Sequence, residues 1–195
     1  MNDAGRVASS AGLVAVGVAA VAIVGAVLAS PSFAFSGNAL SDLGQPGNAA
    51  ATPLTTLLFD GGLITAGIVG LPFGVRLWSG SDHPLERVAA VPFVTALLGM
   101  AGVGLFPAGQ ALHVPAALTL YLGSMVAMAC YAAGNAAAGA RRRAAGTATL
   151  VAAHVAVWWW WAAGGSVTRP GLAVPETVGA VIFAGWVCWT ARREG

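Results

Sequence analysis

Six long apolar runs, separated by short segments that collect nearly all of the charge, constrain this chain more than any other feature. They extend from Ser10 to Ala29, Pro53 to Trp78, Val88 to Phe106, His113 to Ala138, Ala144 to Ala163 and Pro175 to Ala191. A helix needs ~20 mostly apolar residues to cross a hydrocarbon core ~30 Å thick, and each run is of that order. Membrane β-strands are ~10 residues long and alternate in polarity; these runs do not alternate. Charged residues make up only 8% of the 195, against about 25% in a soluble domain, and mean hydropathy is +0.79. A net charge of +2 provides no basic face, so nucleic acid is excluded as a partner. The fold class is therefore all-α: a single domain over residues 1–195, built as a polytopic bundle of six transmembrane helices with the lipid bilayer as its surroundings.

The arginines orient it. There is no lysine; Arg6, Arg76, Arg87, Arg141, Arg142, Arg143, Arg192 and Arg193 fall on one side of the six-span topology and only Arg169 on the other. The positive-inside rule then predicts a multi-pass plasma-membrane protein with both termini cytoplasmic. Arg6 followed by an apolar stretch and Ser32-Phe33-Ala34 has some signal-peptide character. The stretch is longer than the 7–15 residues usual for such a region, and it reads as a retained span. Glycines at 61, 62, 67, 70 and 74, and at 99, 102 and 104, predict closely packed helices. Such faces serve equally within one chain or between copies, so a homo-oligomer stays open.

In a membrane chain the informative residues are the polar ones at depth. The longest loop, Ser30 to Thr52, carries Asn38, Ser41, Asp42 and Asn48. Asp60 lies about two turns into the second run, ~10 Å below its start at 1.5 Å per residue. An ionised carboxylate costs about +2.5 kcal/mol at the bilayer centre and less toward the interface. Asp60 must therefore pair, protonate or face water, and His113 and His154 are the reachable partners. Two readings stand: a proton-relay or metal-binding carboxylate admitted by Gly61 and Gly62, or a structural hydrogen bond between helices. His113, after the turn Phe106-Pro107-Ala108-Gly109-Gln110, reads as an interfacial residue at a helix start. His154 reads as an interhelical hydrogen bond, worth about 0.6 kcal/mol on average. Glu176, in Pro175-Glu176-Thr177, reads as an acid suited to a helix N-terminus. Asp42 either caps a short loop helix or delivers a carboxylate over a cavity between spans. The candidate polar site thus comprises Asn38, Ser41, Asp42, Asp60, His113 and His154.

Trp158 to Trp161 fit an aromatic belt at headgroup level; Arg141 to Arg143 fit anchorage to anionic headgroups. Cys130 and Cys188 fall inside spans and read as packing residues. The chain has no P-loop, GxSxG or HExxH motif, no arginine ladder and no TVGYG filter, and no cofactor is indicated.

The stretches Asn38-Ala39-Leu40-Ser41-Asp42-Leu43-Gly44, Leu58-Phe59-Asp60-Gly61-Gly62-Leu63 and Gly104-Leu105-Phe106-Pro107, with His113 following, resemble the prokaryotic membrane family of domain of unknown function 998. The resemblance covers most of the chain. It implies six spans, an N-x-LSDLG outer loop, an LFNGGL-type second span and a G-x-FP turn before a histidine. It also implies a distant likeness to eukaryotic Frag1/DRAM/Sfk1-type six-span proteins, and no established activity. Asp60 departs from the asparagine expected at its position, which favours a hydrogen-bonding role there over an obligate charge.

Three functions follow from these residues. The first is a bundle that interacts with a lipid or small apolar ligand, without established catalysis. The second is an intramembrane hydrolase in which Asp42, Asp60, His113 and His154 bind one divalent metal near Ser41. The third is a proton-coupled transporter in which Asp60 and His154 titrate.

Overall fold

Proline and glycine set where the long helices begin and bend. A computed structural model describes residues 3–164 and 171–194; Arg169 lies outside the described residues. Eight α-helices are described: α1 (Asp3–Ala29), α2 (Pro53–Val69), α3 (Leu71–Ser79), α4 (Pro84–Val88), α5 (Ala90–Leu105), α6 (His113–Ala137), α7 (Arg141–Ala163) and α8 (Ala173–Glu194). No strand occurs among the described residues. α2 and α3 form one bent span, and α4 and α5 another, so six rods result.

The bends have a common cause. A proline inside a helix has no N–H to donate and clashes with the carbonyl four residues earlier. Pro72 acts on Ile68, and α2 ends at Val69. Pro92 acts on Val88, where α4 ends. Starts are equally local: Pro53 opens α2 behind Thr52, whose side chain accepts from the Thr55 N–H at 3.1 Å. Pro84 opens α4 behind His83, whose Nδ1 accepts from the Leu85 N–H at 3.2 Å. The third rod therefore starts at Pro84, before the expected Val88. Helix also extends beyond the apolar runs, to Asp3 in α1, Arg141 in α7 and Glu194 in α8.

Five of the six rods are long and apolar enough to cross a membrane: Gly5–Ala29, Pro53–Ser79, Pro84–Leu105, His113–Ala137 and Ala173–Arg193. α7, at 23 residues, is long enough, but three arginines, His154 and four tryptophans reduce its hydropathy. Trp159 and Trp160 project outward, as residues of an aromatic belt do.

The rods close into a ring. α1 packs on α2, α2 on α5, α5 on α6, α6 on α7 and α7 on α8, and α8 returns to α1; the backbones of α6 and α8, which flank α7, barely meet. The small residues make the close approaches. A side chain on Gly62 would strike Ala22 of α1, one on Gly67 would meet the Leu97 carbonyl of α5, and one on Gly99 would meet the α6 backbone at Leu120. Gly61 faces only Leu57 and makes no such approach. At the end holding the start of α1 and the end of α8, an aromatic core fills the ring. There Phe93 lies 5.5 Å from Phe73, 5.8 Å from Phe183 and 6.1 Å from Trp186, and Tyr131 lies 5.5 Å from Trp186. Arg141–Arg143 at the start of α7 and Arg193 of α8 line one shallow surface depression. The Arg193 guanidinium stacks 4.6 Å over Trp189.

Candidate functional site

Because α6 and α8 stand apart, the ring encloses a chamber of about 230 Å³ above the aromatic core. Its walls are almost wholly apolar. On α1 they run from Gly12 to Val24, and on α8 from Glu176 to Val187. At 1.5 Å per residue each stretch measures ~17 Å. The chamber is therefore a shaft about as deep as one leaflet of a ~30 Å hydrocarbon core. Ala20 and Val24 of α1 and Val181 of α8 line it and are also exposed on the outer surface. The shaft thus opens sideways between these two helices.

The loop after α1 roofs the shaft. Its 3-10 helix, Leu40–Leu43, buries Leu40 and Leu43. Ser30 and Ser32 hydroxyls donate to the Ala50 and Ala49 carbonyls at 2.7 and 2.8 Å, and the Thr55 hydroxyl donates to the Leu43 carbonyl at 2.8 Å. Asp42 Oδ2 accepts from the Ala39 N–H at 3.0 Å and from Asn38 Nδ2 at 2.8 Å; Asn38 Oδ1 accepts from the Ala34 N–H at 2.9 Å. Asn38 and Asp42 therefore hold the loop's own shape. α8 clamps the loop from across the ring. Glu176 Oε2 accepts from the Leu40 N–H at 2.6 Å, and the Ala173 N–H donates to the Asn38 carbonyl at 2.8 Å. The acid read from sequence as a helix-start residue thus fastens a loop 136 positions away.

Asp60 sits at a junction of three stretches. A side chain on Gly44 would overlap the Asp60 carboxylate, and one on Gly104 would overlap the Asp60 carbonyl. The motifs ending at Gly44, centred on Asp60 and opening at Gly104 therefore meet at one point. The fourth element is adjacent: His113 Nδ1 lies 2.8 Å from the Phe106 carbonyl. A carbonyl only accepts, so Nδ1 carries the proton. The Asp60 carboxylate has no hydrogen bond or ion pair to another described residue, is 8% exposed, and does not line the shaft.

His154 is fully buried, and neither ring nitrogen has a hydrogen-bond partner. It is not the interhelical hydrogen bond expected of it; its ring fills the space left by Gly179, where a side chain would strike it. Tyr121 lies edge-on at 6.3 Å and itself meets Trp158 at 4.8 Å. His154 stands behind the shaft wall, whereas Tyr121 and Gly179 are part of that wall.

Of the six candidate residues, Ser41 and His113 line the shaft. Asn38 and Asp42 shape its roof, Asp60 underlies the roof, and His154 backs the wall. Glu176, Tyr121 and Ser124 also line the shaft, and the polar inventory from sequence assigned them no site role. Tyr121 and Ser124 had one available signal, polar tips within an otherwise apolar run. Among the described residues, no group of three His, Cys, Asp or Glu side chains is placed to hold a metal ion. Asp42 is turned to Asn38 and His113 to Phe106, so the geometry lends the metal-hydrolase reading no support.

A ring of membrane-length helices around an apolar, side-opening shaft defines an integral membrane bundle. Within that class, the chain belongs to the family described as protein of unknown function (DUF998), whose model matches residues 13–193. No curated protein and no solved structure matches the chain.

Proposed function

We propose that this protein binds a single-chain lipid or similar small apolar molecule, taken from the bilayer through the gap between α1 and α8. The observation that carries this reading is the shaft itself: apolar walls, one acyl chain deep, a polar roof and a side opening. Ligand sites are commonly concave and mostly apolar, with a few polar groups that fix orientation. A ~230 Å³ shaft extended over ~17 Å holds one chain, not two. The roof gives the polar head a fixed place, and the aromatic core around Phe93 limits depth.

The shaft requires an organic extract of the purified protein to contain an amphiphile near one per chain. Ala180→Phe, which places a ring in the shaft, abolishes it while leaving helix content unchanged. An extract without amphiphile, or equal content in both proteins, overturns the reading. On the positive-inside rule, the arginine-bearing end faces the cytoplasm of a plasma-membrane protein. Reporter fusions at both termini test this, and activity of an exported reporter at either terminus contradicts it.

A further inference from the structure

We propose that the arginine-lined depression, at the end of the bundle opposite the roof, is a binding site for a phosphomonoester, carried on a lipid head or on a soluble molecule. It is separate from the shaft and independent of what the shaft holds. Segregation of arginine alone gives a diffuse positive surface. The fold instead brings Arg141, Arg142 and Arg143 of α7 and Arg193 of α8 to the walls of one depression of about 430 Å³.

Two local devices gather them. The connection from α6 to α7 is residues 138–140 alone. Gly139 takes φ +78°, a left-handed conformation that suits glycine. Its N–H donates to the Ala136 carbonyl at 3.1 Å, and the Ala140 N–H donates to the Asn135 carbonyl at 2.8 Å. α7 therefore starts beside the end of α6, and its first three positions are the arginines. Arg193 is brought in from α8 by Trp189. Its guanidinium stacks 4.6 Å over that ring, and the ring lies against α7, where a side chain on Gly146 would come within 3.3 Å of it. A guanidinium stacked by its face keeps its N–H edge for a ligand.

The electrostatics call for an anion. Cations are unfavourable at a helix N-terminus, where the macrodipole is positive. Yet α7 opens on three of them, with no acid in its first turn and no side-chain cap from Ala140. Asp82 faces Arg143 at 3.9 Å, beyond hydrogen-bond reach. The positive excess does not depend on where any side chain lies: the segments at this end carry eight arginines and four acids, Asp3, Asp82, Glu86 and Glu194. Of these acids, Asp3 is paired with Arg6, and Glu86 accepts from the Asp82 N–H.

A phosphomonoester is the anion that this set matches. Guanidinium forks bind phosphate oxygens in pairs. A phosphomonoester presents three acceptor oxygens and a charge of about −1.5 to −2 at neutral pH, enough to engage several forks together. A phosphodiester or a carboxylate offers fewer free oxygens and a single charge. The depression lies where α7 begins and where the spanning part of α8 ends, at Arg193. That is headgroup depth, so a phosphorylated lipid head reaches it without leaving the bilayer.

The test is calorimetric titration of the purified full-length protein in an uncharged maltoside detergent. It is run at neutral pH and about 0.15 M salt, where exposed charges more than ~8 Å apart are largely screened. The ligands are dioctanoyl phosphatidic acid, dioctanoyl phosphatidylglycerol and glycerol 3-phosphate. The two lipids have the same chains, so their difference reads the head. Phosphatidic acid is expected to bind about tenfold more tightly than phosphatidylglycerol, and Arg142→Gln and Arg193→Gln are each expected to weaken it about tenfold. Arg192→Gln, which removes the same charge from a residue outside the depression, is expected to change it by less than about twofold. Glycerol 3-phosphate binding as tightly as phosphatidic acid supports the site with a soluble ligand; weaker binding supports it with a lipid head. Equal affinity for the two lipids, or equal losses in Arg192→Gln and Arg142→Gln, overturns the proposal in favour of a diffuse basic surface. Failure of both monoesters to bind also overturns it. Ala180→Phe, which fills the shaft, is expected to leave the preference for phosphatidic acid intact; its loss in that variant would move the binding to the shaft and overturn the site.

Discussion

Phe93→Ala separates the structural logic of the bundle from its hydropathy. Phe93 is 1% exposed, lines the deep end of the shaft and contacts three other aromatic rings. In a soluble core, Phe→Ala costs about 3–5 kcal/mol, part of which is transfer out of water. In a bilayer that part largely cancels, because an undocked helix leaves its phenylalanine in lipid. What remains is ring packing, about 0.5–1.5 kcal/mol for each aromatic pair. Three pairs come to ~3 kcal/mol, less ~0.5 kcal/mol returned by the better helix propensity of alanine. A loss of ~2.5 kcal/mol is expected, measured by reversible unfolding in mixed sodium dodecyl sulfate and maltoside micelles followed by circular dichroism. The same substitution lowers the floor of the shaft, so the preferred amphiphile chain lengthens by a few methylenes. A stability loss under ~0.5 kcal/mol would refute the argument that ring packing, rather than apolarity, holds this end of the ring together.

Other outcomes follow from single contacts. Gly99→Ala places a methyl 2.6 Å from the Leu120 nitrogen on α6, where only backbone is available to move; it should cost about 1–3 kcal/mol in the same assay, whereas Gly17→Ala, with nothing within 4 Å, should be neutral or stabilising by up to ~1 kcal/mol. Glu176→Ala removes the acceptor of the Leu40 N–H, so hydrogen exchange at Leu40 should accelerate while the α5 amides stay protected; unchanged exchange would remove the clamp from the account. Asp60→Asn should be neutral or stabilising by up to ~1 kcal/mol in thermal unfolding, because Asp60 has no partner to lose among the described residues and a charge at depth is costly. A large loss would reveal a charged partner at the Gly44 junction.

The rods were legible because crossing a bilayer is a local requirement. Pro53 and His113 begin helices where the reading placed them, and Pro72 and Pro92 bend spans through clashes four residues back. Ser41 and His113 were legible as polar residues of a loop and a helix start, and both line the shaft. Glu176 was legible as an acid in the first turn of its helix but not as the clamp on the loop, because that role depends on a backbone group 136 positions away. His154 looked like a hydrogen-bonding residue, since the sequence does not reveal that its neighbour across the interface is Gly179. The three motifs around Gly44, Asp60 and Gly104 were visible separately; their meeting at one point was not.

By itself, the sequence determined the solvent, the number of rods and the segregation of arginine, all consequences of the cost of placing charge and unsatisfied backbone in hydrocarbon. Tertiary structure alone decided that α8 closes on α1, that α6 and α8 stand apart, and that Glu176, His113, Tyr121 and Ser124 come to line one shaft. The physical reason is that lipid makes every face of a spanning helix apolar, so the periodicity that marks a buried face in water is nearly absent. Which face turns inward is then set by the close approach of glycines and by hydrogen bonds between distant residues.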